Sequence, residues 1–134
     1  MHPTYKFPIT NGEAPNGSIG AFKLEEQNGK PVLMPAWVSR DLIAPAPPVV
    51  ANGVVFALSS GEFVRQPYPA EERARRSTHA TLYALDAETG KELYSSGEGI
   101  TSFTHFGAMS LSSGRVFLTT HDNMAYAFGI YMEQ

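Results

Sequence analysis

Histidine and arginine residues are the side chains of this sequence that could do chemistry, and most lie in turn-rich segments of its second half. His105 and His121 are of the residue type that binds metal ions or transfers protons near neutral pH. The run Glu71–Arg76 places three arginines beside two glutamates, and arginine grips carboxylates and phosphates through paired hydrogen bonds. The simpler interpretations are a solvated or hydrogen-bonded loop histidine and a solvated mixed-charge loop. Both interpretations stay open at the level of sequence.

Other sequence features exclude several classes of function. No P-loop, dinucleotide fingerprint, nucleophile elbow or HExxH motif occurs, so no catalytic constellation can be assigned. The absence of cysteine excludes disulfides and cysteine-held zinc or iron–sulfur sites. The formal net charge of −3 gives no reason to expect nucleic acid as a partner. No run of about 18 apolar residues is present, so we expect no membrane span, and Met1–Pro8 lacks the pattern of a signal peptide.

An internal repeat predicts the elements that must position these side chains. The pattern of Ala21–Lys30 recurs 61 positions later in Leu82–Lys91. Tyr83–Leu85 recurs only 43 positions later in Tyr126–Phe128, so the difference of 18 residues indicates an insertion within Glu62–Thr81. Without the insertion the unit has 43 residues, within the about 40–45 typical of a four-stranded propeller blade.

The predicted strands are short and are separated by turn residues. Asn28-Gly29 and Asn52-Gly53 are typical of two-residue hairpin turns, because both residue types tolerate positive φ. Pro35 cannot donate to a strand ladder and is expected at an edge or bulge. Residues 1–17 are expected to be turns, and Glu71–Arg76 one short helical turn. The predicted strands are Ser18–Glu25, Val32–Ser39, Pro48–Ala51, Val54–Ser59, Ala80–Leu85, Glu92–Ser96, Ala108–Leu111, Val116–Thr120 and Met124–Tyr131.

These strands predict an all-β fold of antiparallel four-stranded blades, a partial β-propeller of about two and a quarter blades. With strands lettered A to D, the chain supplies C–D of one blade, a complete A–D blade and A–C of another. The expected organisation is a single partial domain, 1–134: the end of one blade in 1–40, the full blade with insertion 62–81 in 41–100, and three strands in 101–134. A closed propeller needs about four blades. We therefore expect the remaining blades to come from a longer parent or from further copies of this chain.

The phrase Ala84–Lys91, with Tyr94 beyond it, resembles the repeat of quinoprotein-type propellers. That family's pattern is Ala-x-Asp-x-x-Thr-Gly-x-x-x-Trp, and Tyr94 stands where the tryptophan is usual. The first copy departs further, since Asn28 stands in place of threonine. Pro47–Phe56 also looks like the family's first hairpin. The resemblance covers roughly residues 18–131 and is more specific for fold than for activity.

The resemblance implies two functions of different classes. One is a non-catalytic propeller module that serves as a ligand- or protein-binding scaffold. The alternative is the C-terminal part of a quinone-dependent alcohol or sugar dehydrogenase, an oxidoreductase whose full-length parent would bind pyrroloquinoline quinone and calcium. The cysteine pair of the methanol-oxidising members cannot exist in a chain without cysteine. The resemblance further implies a periplasmic or extracellular location.

The repeat motif itself has a structural explanation in turn chemistry. Asp86 can accept hydrogen bonds from backbone N–H groups of the turn, including that of Thr89 or Gly90. Thr89 can hold the turn from its other side, and Gly90 supplies positive φ. Tyr94 is expected to pack against the neighbouring blade. Trp37 is expected to pack between blades and not to serve as a stacking platform for a quinone.

Blade geometry predicts which loops share one end of the sheets. The A–B and C–D turns lie at one end, and the B–C and D–A connections lie at the other. That second end carries Arg40–Pro47, Glu62–His79, Gly97–Phe106 and His121–Asn123, and loops held on a rigid scaffold are where function usually resides. We expect a face there that binds a protein or small molecule. Its candidate residues are Arg40, Asp41, Arg65, Tyr68, Arg73, His79, His105, His121 and Asp122.

Overall fold

A computed structural model describes residues 6–65, 67–105 and 109–129 of the chain. Within these ranges the chain forms three small β-sheets and one short helix. The all-β prediction is therefore confirmed as a mostly β protein built chiefly of antiparallel pairs. Several residues covered by the sequence predictions lie outside the described ranges: Met1–Tyr5, Gln66, Phe106, Ala108, Ile130 and Tyr131.

The first sheet is a long hairpin with a short extra strand along one side. Its strands are β1 Ile9–Thr10, β2 Gly20–Gln27 and β3 Lys30–Val38, in the order β1-β3-β2. The turn between β2 and β3 uses Asn28 at φ 54° and Gly29 at φ 75°, as the sequence predicts. The predicted strands Ser18–Glu25 and Val32–Ser39 differ from β2 and β3 by one or two residues at each end. At the turn the observed strands are longer, because the pairing continues up to Asn28 and Gly29.

Two details of the first sheet follow from its register. Ala21 pairs with Trp37 whereas Phe22 pairs with Pro35, so β3 carries a bulge next to the proline. The predicted place of Pro35 at an edge or bulge is therefore confirmed. The strand β1 pairs with β3 in parallel and was expected to be a turn. A two-residue strand has too few residues to show a periodic pattern, so no local signal indicates this non-local pairing.

The second sheet is a four-stranded antiparallel meander. Its strands are β4 Val49–Ala51, β5 Val54–Ser59, β6 Thr81–Asp86 and β7 Glu92–Ser95, in the order β4-β5-β6-β7. The predicted strand Val54–Ser59 has the same bounds in the structure. Asn52 and Gly53 connect β4 to β5 with φ values of 52° and 75°, which is the conformation that a two-residue hairpin turn requires.

The third sheet is a three-stranded antiparallel meander. Its strands are β8 Ser110–Ser112, β9 Arg115–Thr119 and β10 Ala125–Gly129, in the order β10-β9-β8. Ser113 at φ 52° and Gly114 at φ 71° form its first turn. A groove of about 520 Å³ lies between this sheet and the second one, lined partly by Tyr94 and Phe128. Tyr94 is 48% exposed, so it borders the neighbouring sheet without being buried against it.

The core consists of two apolar clusters, one on each face of the second sheet. The cluster shared with the first sheet comprises Trp37, Leu42, Val55, Ala57, Tyr83 and Leu85. The cluster shared with the third sheet comprises Phe56, Leu58, Ala80, Leu82, Ala84, Ile100, Met109, Val116 and Leu118. Successive residues of a strand point to opposite faces, so the unbroken apolar run of β5 supplies both clusters. The strand β5 is therefore buried on both faces.

The turn after β6 forms as its sequence predicts. Oδ1 of Asp86 accepts hydrogen bonds from the backbone N of Glu88 at 2.8 Å and of Thr89 at 3.2 Å. The Thr89 hydroxyl accepts from the backbone N of Lys91 at 3.2 Å, and Gly90 has φ 75°. These residues are therefore determinants of the fold.

The loops at the other end of the sheets are joined by backbone hydrogen bonds. The donors and acceptors are Gly61 N with Ile43 O at 3.2 Å, Thr104 N with Ser60 O at 3.1 Å, Ala80 N with Ser102 O at 2.8 Å, and His121 N with Phe103 O at 2.9 Å. The connector after β3, both ends of the insertion, the connector after β7 and the loop after β9 therefore meet. We call this region the loop end.

Candidate functional site

The insertion between β5 and β6 leaves the sheet and returns at one narrow point. The backbone N of Thr78 donates to Gly61 O at 2.8 Å. Gly61 has φ 73°, and a Cβ there would lie 2.6 Å from the carbonyl oxygen of His79. This position therefore favours glycine on two grounds, conformation and space. The narrow base fixes the insertion to the sheet without altering the pairing of β5 with β6.

The insertion contains the helix α1, Ala70–Arg76. Glu71 and Glu72 lie in its first turn and three arginines in its last turn, which complements the helix dipole. Arg76 Nε lies 2.9 Å from Oε1 of Glu72, and Arg75 also pairs with that carboxylate. The predicted helical turn at Glu71–Arg76 is confirmed, and most of its charges neutralise one another.

A small aromatic cluster supports the helix on its outer side. The rings of Phe63 and Tyr68 meet edge-to-face with centroids 5.3 Å apart. The guanidinium carbon of Arg76 lies 4.4 Å from the centre of the Tyr68 ring, a cation–π distance. Tyr68 is therefore engaged in holding the insertion together, and Arg65 is exposed nearby along the same segment.

The helix packs over the loop end and encloses a cavity of about 110 Å³, which we call the helix cleft. Its walls come from the insertion, from the connector after β7 and from the loop after β9. The lining residues are Glu62, Ala70, Arg73, Ala74, Ser77, Phe103, His105 and His121. Three of the predicted site residues, Arg73, His105 and His121, are therefore brought together.

Arg73 is the arginine of α1 that turns into the helix cleft. Its Nε atom is buried and has no hydrogen-bond partner among the described residues. Arg75 and Arg76 on the same helix both pair with Glu72. A buried polar atom without a partner is rare in folded proteins, so Arg73 has an unused hydrogen-bond donor beside the cleft.

The two histidines of the helix cleft are held by different contacts. Nδ1 of His105 pairs with the carboxylate of Glu62, whose side chain is only 16% exposed. The His121 ring stacks on Phe103 with centroids 4.5 Å apart and an angle of 21° between the planes. The cleft thus combines one guanidinium, one carboxylate–imidazole pair and one flat aromatic wall, a set that can bind a small polar group.

A second hollow of about 290 Å³ adjoins the helix cleft. The two cavities share the lining residues Ala74, Ser77, Phe103 and His121. His79 lines the second hollow, and its Nδ1 lies 2.9 Å from the carbonyl oxygen of Ala80. His79 is therefore near the helix cleft without lining it.

Asp122 takes part in a hydrogen-bond network beside the cleft. Its Oδ2 accepts from the Thr101 hydroxyl at 2.6 Å, and its other oxygen accepts from the Thr120 hydroxyl. These bonds, that from Thr101 foremost, lower the pKa of Asp122. The Tyr126 hydroxyl lies 2.9 Å from that of Thr101. Asp122 therefore fixes the connector after β7 against the third sheet.

Arg40 and Asp41 lie apart from the helix cleft. Arg40 pairs with Glu92 at 2.7 Å, and its guanidinium carbon lies 4.3 Å from the centre of the Tyr83 ring. Asp41 accepts hydrogen bonds at 2.7 Å from both the backbone N and the side-chain amide of Asn16. The side-chain hydrogen bond from Asn16 lowers the pKa of Asp41. Arg40 therefore contacts the second sheet, Asp41 holds the segment before the first hairpin, and neither residue lines the helix cleft.

Glu62 and Phe103 line the cleft but were absent from the predicted set. Glu62 is separated from His105 by 43 positions, and Phe103 lies in a connector with no periodic pattern. The one sequence signal for this region was that several histidines lie in loops at the same end of the sheets. The sequence carried no signal for the specific pairs.

The described residues show no ligand set for a metal ion, and Trp37 offers no platform for a quinone. In the described ranges no group of three or more His, Cys, Asp or Glu side chains is arranged to hold a metal ion. Trp37 is 1% exposed, and its Nε1 donates to Ala87 O at 2.9 Å. Its predicted packing role between sheets is confirmed, and the indole has no open face for a planar cofactor.

The observed class is a mostly β protein of packed, mainly antiparallel sheets with a helical insertion at one end. Neither the models of known protein families nor the sequences of curated proteins give a match to this chain. In the part of the chain that the structure describes, no helix is long and apolar enough to cross a membrane.

Proposed function

We propose that this chain is part of a β-propeller of the quinoprotein-like repeat type and acts as a binding scaffold. In this proposal the three sheets are successive blades, and the loop end is the recognition face for a small molecule or a protein. Further blades come from a parent chain or from other copies. The family resemblance also places the protein in the periplasm or outside the cell.

The arrangement of the sheets supports the propeller part of the proposal. The second sheet is a four-stranded meander with a neighbouring sheet on each face, as a blade inside a propeller would be. Trp37 of the first sheet reaches the turn of the second sheet and donates to Ala87 O. The open face of the first sheet carries exposed Leu24 and Leu33, which a preceding blade would cover.

The helix cleft is the observation that carries the binding part of the proposal. An insertion of this kind adds nothing to the pairing of β5 with β6, which ends at Ser59 and Thr81 before the base of the insertion is reached. It instead encloses a cavity with a buried, unpartnered guanidinium nitrogen. The quinone-dependent dehydrogenase stays an alternative for a longer parent, and the described residues contain no feature that favours it specifically.

A fragment screen by NMR tests the scaffold proposal. Residues 62–77 are deleted and Gly61 is joined to Thr78 through one or two glycines, since these residues already meet at 2.8 Å. The probe is a mixed library of small acids, bases, sugars and aromatic compounds. We expect hits to perturb amides of the loop end in the intact chain and to be lost in the deletion variant. Hits that cluster at the Asn28-Gly29 end, or that survive the deletion, would count against the proposal.

The deletion variant needs its own structural control. Its amide spectrum outside the loop end should match that of the intact chain, because β5 and β6 pair independently of the insertion. A second variant, Glu71→Gln, removes an exposed charge of the helix that lies outside the cleft. Retained hits in this variant would show that lost binding comes from the missing cleft and not from a general change of surface charge.

A further inference from the structure

We infer that the helix cleft binds the carboxylate group of an acidic ligand and that Arg73 is the residue that holds it. This inference rests on the proposed binding function, because it names the ligand chemistry of the same loop end. The ligand is either a free small carboxylic acid or a carboxylate side chain of an acidic peptide.

The state of Arg73 is the first argument. Arg75 and Arg76 both form ion pairs with Glu72, and Arg40 forms one with Glu92. Arg73 instead has a buried Nε without a partner among the described residues. The guanidinium fork presents two parallel N–H donors to a carboxylate, which makes such pairs both strong and geometrically specific. A bound carboxylate would supply the acceptor that the fold does not.

The charge balance of the cleft is the second argument, and it favours a carboxylate over a phosphate. Glu62 lies in the same cavity and pairs with His105. A dianionic phosphate would add two negative charges next to that carboxylate, and like charges at close range are unfavourable in a partly buried site. A monoanion adds one negative charge in place of two, and it can accept from the nitrogen of Arg73 that lacks an acceptor. The cavity of about 110 Å³ also has room for one small acid group.

The adjoining hollow is the third argument, because it leaves space for the rest of the ligand. It measures about 290 Å³ and shares the stacked rings of Phe103 and His121 with the helix cleft as part of its lining. A ligand with its carboxylate on Arg73 can therefore lay a short carbon chain or a peptide backbone along this flat wall. Both sources of the carboxylate fit this geometry.

The test follows the ¹⁵N–¹H signal of Arg73 Nε during titration of the full chain with sodium acetate. N-acetyl-glutamate amide stands for an acidic peptide, and inorganic phosphate and sodium chloride are comparison anions. We expect a saturable shift with acetate or the glutamate derivative, and a weaker response to phosphate. A stronger response to the glutamate derivative than to acetate identifies a peptide source, and the reverse identifies a free acid. A response no larger than that to chloride, or tighter binding of phosphate, would overturn the inference.

Two variants of the same helix make the test specific. Arg73→Lys keeps the charge but loses the fork, so acetate binding, followed by backbone amides, should weaken by about tenfold or more. Arg76→Lys changes an arginine that is paired with Glu72 and lines neither cavity, and this variant should bind acetate unchanged. Equal weakening in both variants would overturn the role of Arg73. Fragment hits at the loop end without any carboxylate response would remove this inference and leave the scaffold proposal standing.

Discussion

The indole of Trp37 lies directly against Gly90, across the boundary between the first and second sheets. A Cβ added to Gly90 would lie 2.7 Å from Cδ2 of the indole. Asn11 strengthens the same contact, since its side-chain amide donates to Val38 O at 2.8 Å and to Thr89 O at 3.2 Å. The turn that the repeat motif specifies is therefore also the packing surface for the indole, and it joins the two sheets through residues that are far apart in sequence.

Gly90→Ala should destabilise the fold more than the same change at another turn glycine. Gly53 has the same φ of 75° but no atom within 4 Å of an added Cβ, so Gly53→Ala should cost only about 1–2 kcal/mol for the left-handed conformation. Gly90→Ala should cost about 1–3 kcal/mol more, from the forced displacement of Trp37. Urea unfolding, followed by the fluorescence of the single tryptophan, measures both values. Equal losses of unfolding free energy in Gly90→Ala and Gly53→Ala would show that the indole of Trp37 moves aside without cost.

Asp86→Ala should lower the free energy of unfolding by about 1–2 kcal/mol, because two turn N–H groups lose their shared acceptor. Asp86→Asn keeps an oxygen at the same place and should recover most of the loss. Glu88 is exposed, so the unfolding free energy of Glu88→Ala should stay within about 0.5 kcal/mol of that of the unmodified chain. Chemical denaturation of the three variants decides the matter. A loss as large for Glu88 as for Asp86 would contradict the role of the carboxylate.

Asp41 should make the fold less stable in acid. The side-chain hydrogen bond from Asn16 lowers the pKa of Asp41 in the folded state, so the ionised group stabilises the fold above its unfolded pKa of about 3.9. That stabilisation is lost as the pH falls through the lower folded pKa. Asn16→Ala should raise the pKa of Asp41, as measured by carboxyl-carbon NMR. Urea unfolding at several pH values should show a flatter acid limb for Asp41→Asn. Unchanged titration of Asp41 in Asn16→Ala would refute this account.

The exposed face of the first sheet should drive self-association of the isolated chain. Leu24 and Leu33 are directly opposed in the hairpin and are 71% and 63% exposed. The double change Leu24→Lys with Leu33→Glu places an opposite-charge pair at this spot, which a hairpin tolerates, and should shift the chain toward a monomer. Light scattering behind a sizing column gives the mass. The control variant, Lys23→Glu with Glu25→Lys, alters two residues on the other face of β2 and should leave the mass unchanged. An unmodified chain that is monomeric at every concentration would disprove this expectation.

The sequence was most informative where one local rule acts alone. Val54–Ser59 was predicted with its observed bounds because six consecutive residues favour a strand buried on both faces. The Asn28-Gly29 and Asn52-Gly53 turns were predicted because their conformation depends on two residues only. The strand Ile9–Thr10 was missed because it is defined by its parallel pairing with Trp37 and Val38, a contact that no local pattern encodes.

The candidate site could be located from the sequence only as a region. Alternation of strands placed the insertion and the histidine-bearing loops at one end, and the backbone bonds between those loops agree. The pairs themselves depend on how α1 lies over the connector. Nothing in the run Glu71–Arg76 distinguishes Arg73, which turns inward, from Arg75 and Arg76, which pair with Glu72. Similarly, Arg40 and Asp41 lie in a loop of the right end but point to other partners.

The short span between Gly61 and Thr78 makes the insertion exchangeable as a unit. Its two ends are held 2.8 Å apart by a backbone hydrogen bond, so the sheet presents the same attachment points whatever lies between them. Doubling the length of a flexible loop adds only about 0.6 kcal/mol of closure entropy. Segments of other lengths and sequences can therefore be transplanted onto these attachment points. The chain thus offers a framework on which libraries of surface loops could be displayed and new specificities selected.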